Sequence, residues 1–261
     1  MAKKSRVLNL RENEEYYSLA KEGSLDTSHP WAKVLEKHAR NAANILDIGC
    51  GEGTRLANVL KTGQSGTGVD ISSKAISLAR EQYPEINFLQ TNGNALPFNQ
   101  GQFDLAYSAF VLEHTTNPEK FLNEAIRVLR KGGLLILVAP NFGAPNRRSP
   151  NSNENALQKL VTGLLKDTKL LPSGSATKLS WKSVEPKSDT YTMDSDTTIE
   201  PYLLTLKKFL QNSGLQIETH TSCWPQDTLS LSQIVFRGLG ILGIYPFKYW
   251  GPHLVIVGRK V

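Results

Sequence analysis

Apolar positions along this chain of 261 residues follow two alternating patterns. Short, largely apolar runs at 44–48, 67–70, 86–89, 103–108 and 134–138 read as strands covered on both faces. Between them the apolar residues recur with helical period. Thr54 opens a stretch to residue 61 with Leu56 and Leu60 at an i, i+4 spacing. A helix over 74–82 has Ser72 or Ser73 as its cap and stops before Pro84. A third, over 119–130, follows Pro118 and places Phe121, Leu122, Ala125, Val128 and Leu129 on one side. Gly132-Gly133 is expected to end it. A helix over 202–212 stopped by Gly214 and strands at 215–219 and 254–259 complete the series. Strands alternating with helices predict an α/β fold, a doubly wound and mostly parallel sheet with right-handed crossovers.

Two stretches depart from this rhythm. Residues 141–200 show little pattern except a helix over 157–171, and their flanks are rich in Ser, Asn, Thr, Lys and Pro. A connection this long is usually functional. It leaves from the carboxyl end of the fifth strand, the edge where open α/β sheets bind ligands. An insertion or lid over a substrate is the expectation, against a surface excursion as the alternative. The second stretch, Gly238 to Phe247, is apolar between Arg237 and Lys248. It is expected to be a buried connection between the last two strands, with contact to an apolar acceptor or a bilayer surface as the alternative.

The candidate chemistry concentrates at Ile-Leu-Asp-Ile-Gly-Cys-Gly-Glu-Gly-Thr, residues 45–54. A strand ending in Asp47 runs into three alternating glycines, and a second strand ends in Asp70, 23 residues beyond Asp47. That offset suits a carboxylate that accepts from a ribose diol on the neighbouring strand. A dinucleotide turn reads G-x-G-x-x-G. Gly49, Gly51 and Gly53 read G-x-G-x-G, with Thr54 where the next residue falls. The carboxylate of Asp47 is a poor neighbour for a pyrophosphate and a good one for an ammonium or a sulfonium. The pattern points to S-adenosylmethionine.

With these residues the chain resembles the class I S-adenosylmethionine-dependent methyltransferases, within their broad small-molecule group. The resemblance rests on ILDIGCGEGT, GVDIS, NGNALPF with FDLAYS, and VLEHTTNPEKFLNEAIRVLRKGGLLILVAPN, and covers roughly 40–140 and the last strand pair. It implies a Rossmann-like seven-stranded sheet whose last strand is antiparallel, in one domain over 1–261 with a helical cap over 1–43. It places Asp47, Gly49, Cys50 and Gly51 at the methionine end of the cofactor, Asp70 on the ribose and Ile71 on the adenine. Aligning on Leu96-Pro97-Phe98 puts Asn92 where relatives carry an aspartate that accepts from the adenine amino group. Asn92 keeps an acceptor oxygen without charge assistance, although Asn92-Gly93-Asn94 is also a turn sequence. Ser108 ends the fourth strand beside the cofactor edge. His114, six residues on, is a candidate base, and the resemblance equally suggests that it supports a loop. Tyr16, Tyr17, His29 and Trp31 lie where the family's N-terminal helices cover the substrate, or else are packing aromatics.

Composition narrows the rest. Two cysteines, Cys50 and Cys223, are too few for a disulfide framework, which favours a cytoplasmic setting. No C-x-x-C or His/Cys cluster supports a metal site. Residues 1–140 hold 16 basic and 15 acidic groups and 141–261 hold 14 and 9, so most of the net charge of +6 lies in the second half. That excess suits an anionic acceptor, a membrane surface, or simple solubility. Basic runs interleaved with aromatics are missing, so no nucleic-acid partner is expected. The leading expectation is methyl transfer to an O, N or C atom of a small-molecule or lipid-like acceptor. The alternatives are a non-catalytic S-adenosylmethionine-binding partner and a protein or nucleic-acid methyltransferase. Against the latter, the position after strand four reads Ser108-Ala109-Phe110-Val111 rather than an N-P-P-Y-like tetrapeptide.

Overall fold

The computed structural model describes residues 21, 25, 29–170, 178–186, 194–224 and 230–261. In chain order these form α1 (Pro30–Ala39), β1 (Asn44–Ile48), α2 (Thr54–Val59), β2 (Ser65–Asp70), α3 (Ser73–Gln82), β3 (Asn87–Gln90), β4 (Phe103–Ala109), a single 3-10 turn (Leu112–His114), α4 (Pro118–Val128) and β5 (Leu129–Pro140). The second half adds α5 (Ala156–Leu170), β6 (Lys182–Ser183), β7 (Ile199–Glu200), α6 (Leu203–Asn212), β8 (Leu215–Cys223), α7 (Leu231–Ile241) and β9 (His253–Lys260). Of the helical cap expected over 1–43, only residues 21, 25 and 29–43 are described, so Tyr16 and Tyr17 lie outside the described residues.

Seven strands make one sheet in the order β3-β2-β1-β4-β5-β9-β8. All are parallel except β9, which is antiparallel to both β5 and β8. The period-two pleat splits each central strand between two cores. Leu46, Ile48, Ala106, Leu135, Leu137, Leu254 and Ile256 join the core built with α4 and α6. Ile45, Leu105, Tyr107, Ile136, Val138, Val255 and Val257 join the core built with α1, α2 and α3. Cover on both faces explains why these strands read as continuous apolar runs. Ser72 caps α3 through a bond from the Ala75 amide, and Asn117 caps α4 through one from Lys120.

Three expectations need correction. Gly132-Gly133 does not stop α4, which ends at Val128. The pair lies inside β5, where the register with β4 shifts between Phe103 and Leu105 and residues 130–133 bulge out. β8 runs on to Cys223, because β9 pairs with it as far as His253. The apolar stretch after Arg237 is not a buried connection. It forms the end of α7 and an exposed turn, and α7 has no buried residue.

Residues 141–200, expected to be largely irregular, carry α5 and a two-stranded ribbon held to one another by buried polar bonds, and Asp167 ties them to the body. The Asn151 amide group donates to the carbonyls of Ser195 and Thr197. Glu200 accepts from the amide and hydroxyl of Ser149 and pairs with Lys159 Nζ at 2.6 Å. Asp167 on α5 accepts from Tyr202, Tyr245 and Trp250 at 2.6, 3.1 and 3.1 Å. These bonds replace the hydrophobic periodicity that the sequence lacks here.

Candidate functional site

The carboxyl ends of β1, β2 and β4 lie side by side, and the glycine turn closes over them. The amides of Gly49 and Cys50 both donate to Val69 O, at 2.7 and 3.0 Å, which ties the turn to β2. Gly49 has φ +85° and its backbone passes so close to Val111 that a Cβ would stand 2.2 Å from Cγ2. Gly51, at φ +55°, is the opposite case, since a Cβ there would meet nothing within 4 Å. Its backbone faces open space, as close approach of a ligand requires. Asp70 locks the second side of the turn. One carboxylate oxygen accepts from the Gly51 amide at 3.0 Å and the other from the Ser72 amide at 2.9 Å.

Asp47 is the electrostatic centre. It is fully buried at the end of β1, and Tyr107 donates to its Oδ2 at 2.7 Å. Its Oδ1 has no hydrogen-bond partner among the described residues, and neither has the buried Oε1 of Glu52 in the same turn. Burial pushes the Asp47 carboxyl up to about 7, while Arg55 and the Tyr107 hydroxyl pull the other way. A buried carboxylate with an unused oxygen is unfavourable unless a cation meets it.

The other expected residues take less direct places. Cys50 packs in the core beside Phe88, and burial holds its thiol well above the ordinary range. Ile71 exposes its side chain just past Asp70. Asn92 accepts from the Asn94 amide at 3.0 Å, closing the turn that the sequence suggested. The Ser108 hydroxyl donates to Ile48 O at 2.8 Å and is buried. His114 is wedged between two carboxylates. Its Nδ1 lies 3.2 Å from Asp196 O and 3.4 Å from Asp196 Oδ2, and its Nε2 lies 3.7 Å from Glu113 Oε1. Thr198 bonds to Glu113 O beside it, so this turn anchors the returning arm of the 141–200 insertion.

The sequence profile of a methyltransferase-domain family matches residues 46–137, the stretch from β1 through β5 that builds this turn. Residues 46–137 are thus similar to a methyltransferase domain. Demethylmenaquinone methyltransferase of Tropheryma whipplei is 37% identical over 106 residues, 40% of this chain and 43% of that one. The match thus spans less than half of that relative. Norajmaline N-methyltransferase of Rauvolfia serpentina is 26% identical over 193 residues, 70% of this chain and 65% of that one. A SAM-dependent methyltransferase structure from Aquifex aeolicus superposes with a TM-score of 0.54 at 13% identity, covering 94% of this chain and 98% of its own, and shares the fold. The sheet shares the fold of that Aquifex aeolicus enzyme, which depends on S-adenosylmethionine as its cofactor.

The residues of this turn fit S-adenosylmethionine. The unused Oδ1 of Asp47, the bare backbone at Gly51, the oriented Asp70 and the exposed Ile71 offer an anion, a cradle, a diol acceptor and an apolar face. Sequence reasoning missed five residues here. Tyr107 reaches Asp47 only because β1 and β4 pair with those residues in register. Asn94, two residues past Asn92, holds a buried Oδ1 with no partner among the described residues. His253 starts β9 at this edge, 3.0 Å from His29, with rings of Phe110 and Trp31 beside the pair. Burial lowers the His253 imidazole to about 3, so it is neutral at pH 7. Phe110, just past β4, has φ 60°, a strained backbone for an aromatic residue. Arg147 lies over the Trp224 ring at 5.2 Å and makes no ion pair among the described residues. The sequence shows each of these residues but not their approach, which for Tyr107 and Asp47 joins positions 60 apart and for His253 and His29 positions 224 apart.

Proposed function

We propose that the protein transfers a methyl group from S-adenosylmethionine to an O, N or C atom of a small-molecule or lipid-like acceptor. The observation that carries this is the buried Oδ1 of Asp47, unpartnered among the described residues, beside the open backbone of Gly51. S-adenosylmethionine brings a methyl group already activated on a sulfonium. The chain has to hold it, align the acceptor and exclude water. Asp47 receives the ammonium, Asp70 the ribose hydroxyls and Ile71 the adenine. Gly49 and Cys50 shape the turn, and Ser108 steadies the strand end beneath it. Asn92 closes the turn beside the adenine. His114 acts as a support that fixes the insertion over the site, and residues 141–200 serve as a wall or lid over the acceptor.

The acceptor class is read from the other side of the same edge. Phe110 and the neutral imidazole of His253 line this edge over the buried Trp31 and His29, and Arg147 brings a cation without a carboxylate partner among the described residues. These favour an apolar acceptor or one with an anionic group. The small-molecule activities named for the demethylmenaquinone and norajmaline relatives support the same class.

Incubating the protein with methyl-labelled S-adenosylmethionine and a cell extract tests this reading. Label is expected in the lipid or small-metabolite fraction, and Asp47→Asn should abolish it. Label in protein or nucleic acid overturns the acceptor class. Bound cofactor with no transferred label overturns catalysis and leaves a binding protein.

A further inference from the structure

The strongest unexplained feature is the outward face of α7. Leu231, Ile234, Val235, Gly238, Ile241 and Leu242 follow i, i+3, i+4, i+7, i+10 and i+11 spacing, so they share one stripe. Their apolar side chains are 84%, 47%, 57%, 78% and 75% exposed, and a Cβ on Gly238 would meet nothing within 4 Å. The opposite side of the helix does the packing. Phe236 stacks on Phe247 at 5.0 Å and approaches Trp224 at 6.4 Å, while Gly240 sits against the Phe247 carbonyl. A capping box from Ser230 and Gln233 fixes the start of the helix. This is a well-formed helix that presents its apolar stripe outward.

We propose that this stripe is a docking surface for an anionic lipid bilayer. At 11 residues α7 rises about 16 Å, far short of the ~30 Å hydrocarbon core, so it would lie along the surface rather than cross it. Among the described residues no helix is long and apolar enough to span a membrane. Charge selects the partner. Residues 228–261 contain no Asp or Glu, and Arg237 and Lys248 flank the apolar turn. Apolar side chains between basic residues are what an anionic headgroup region accommodates. A second copy of the same face, docked about a two-fold axis, would bring these cations toward one another.

Two further features extend the surface. Leu157, Val161, Leu164 and Leu165 form a second exposed stripe on α5. Asp167 on that helix accepts from Tyr245 and Trp250 in the turn after α7, so the two elements are held together. α7 also leaves from the end of β8 and returns to the start of β9, both on the carboxyl edge that carries the methyltransferase site. A bilayer bound here adjoins the edge where an acceptor must enter.

Flotation of the full-length protein with phosphatidylcholine vesicles, with and without phosphatidylglycerol, tests the proposal without acceptor or cofactor. Its failure therefore leaves the methyl-transfer reading standing. The protein is expected to float with anionic vesicles, less with neutral ones, and less at high salt. The double variant Ile241→Glu/Leu242→Glu should lower the bound fraction at least about tenfold. Arg237→Glu should narrow the difference between anionic and neutral vesicles. A circular dichroism spectrum and thermal melt like those of the wild type show that each variant is folded. Wild-type protein that stays at the bottom of the gradient with anionic vesicles overturns the proposal, as does a double variant that floats as well as wild type. Sedimentation as a dimer that the double variant splits, with neither form floating, also overturns it and makes the stripe a self-association surface.

Discussion

Replacing Asp47 by Asn, or lowering the pH, removes the same negative charge from the end of β1. Burial raises this carboxyl from 3.8 to about 7. In the ligand-free protein about one molecule in a hundred therefore carries an ionised Asp47 at pH 5, and about half do at pH 7. An ammonium ligand binds the ionised form, so the affinity for S-adenosylmethionine should rise about fifty-fold between pH 5 and 7, or about 2 kcal/mol. Above about 8 the amino group of the ligand loses its own proton, so affinity peaks between these limits. Isothermal titration in two buffers of different ionisation enthalpy measures both affinity and proton release. About one proton should be released per ligand near pH 5.5 and close to none near pH 7.5. Asp47→Asn should bind at least about tenfold more weakly at neutral pH and lose the slope. The sign for stability is the reverse. The folded, ligand-free protein holds a proton that the unfolded chain gives up, so this residue costs stability as pH rises from 3.8 through about 7. The cost reaches about 4 kcal/mol, and Asp47→Asn removes it. Wild-type affinity that stays constant from pH 5 to 7, or an Asn variant with the wild-type slope, would refute the assignment of the ammonium to Asp47.

Other perturbations separate structure from binding. Gly49→Ala forces a methyl group to 2.2 Å from Val111 at φ +85°, and should lower stability by about 2–4 kcal/mol in denaturant melts. Gly51→Ala meets no atom, so it should cost only about 1 kcal/mol in the same melts while weakening S-adenosylmethionine in titration. Glu200→Ala removes the 2.6 Å partner of the buried Lys159 ammonium, leaving it the Phe142 carbonyl and Glu154 Oε2 at 3.7 Å, and should destabilise by about 3 kcal/mol, with Glu200→Gln milder in the same urea series. His114→Gln should keep turnover within about threefold of wild type with unchanged cofactor affinity, because a ring held by Asp196 and Glu113 serves as a support; a loss of a hundredfold or more in kcat alone would make it a catalytic base instead.

The most legible parts of the molecule were those where neighbours in sequence are also neighbours in space. The turn between β1 and α2 is local, so its glycines and Asp47 announced a cofactor edge directly. The strands read as apolar runs because helices cover both faces of the sheet. Residues 141–200 were opaque for a physical reason. They are held by Asn151, Lys159, Asp167 and Glu200, buried polar residues whose partners lie far along the chain and leave no periodic trace. The stripe on α7 was visible as an apolar run, but such a run reads the same whether it is buried or exposed.

By itself the sequence determined the doubly wound class, the order of the strands and helices of the main sheet and the acid–glycine turn, since propensity, period and backbone sterics act over a few residues. Only the tertiary structure decided what surrounds that turn. The register of β1 with β4 brought Tyr107 to one oxygen of Asp47 and left the other unpartnered among the described residues. The antiparallel entry of β9 set His253 beside His29, and the bonds to Asp167 tied α5 to the turn after α7. Burial and long-range pairing set the electrostatics of a site, and neither is a property of any short stretch of chain.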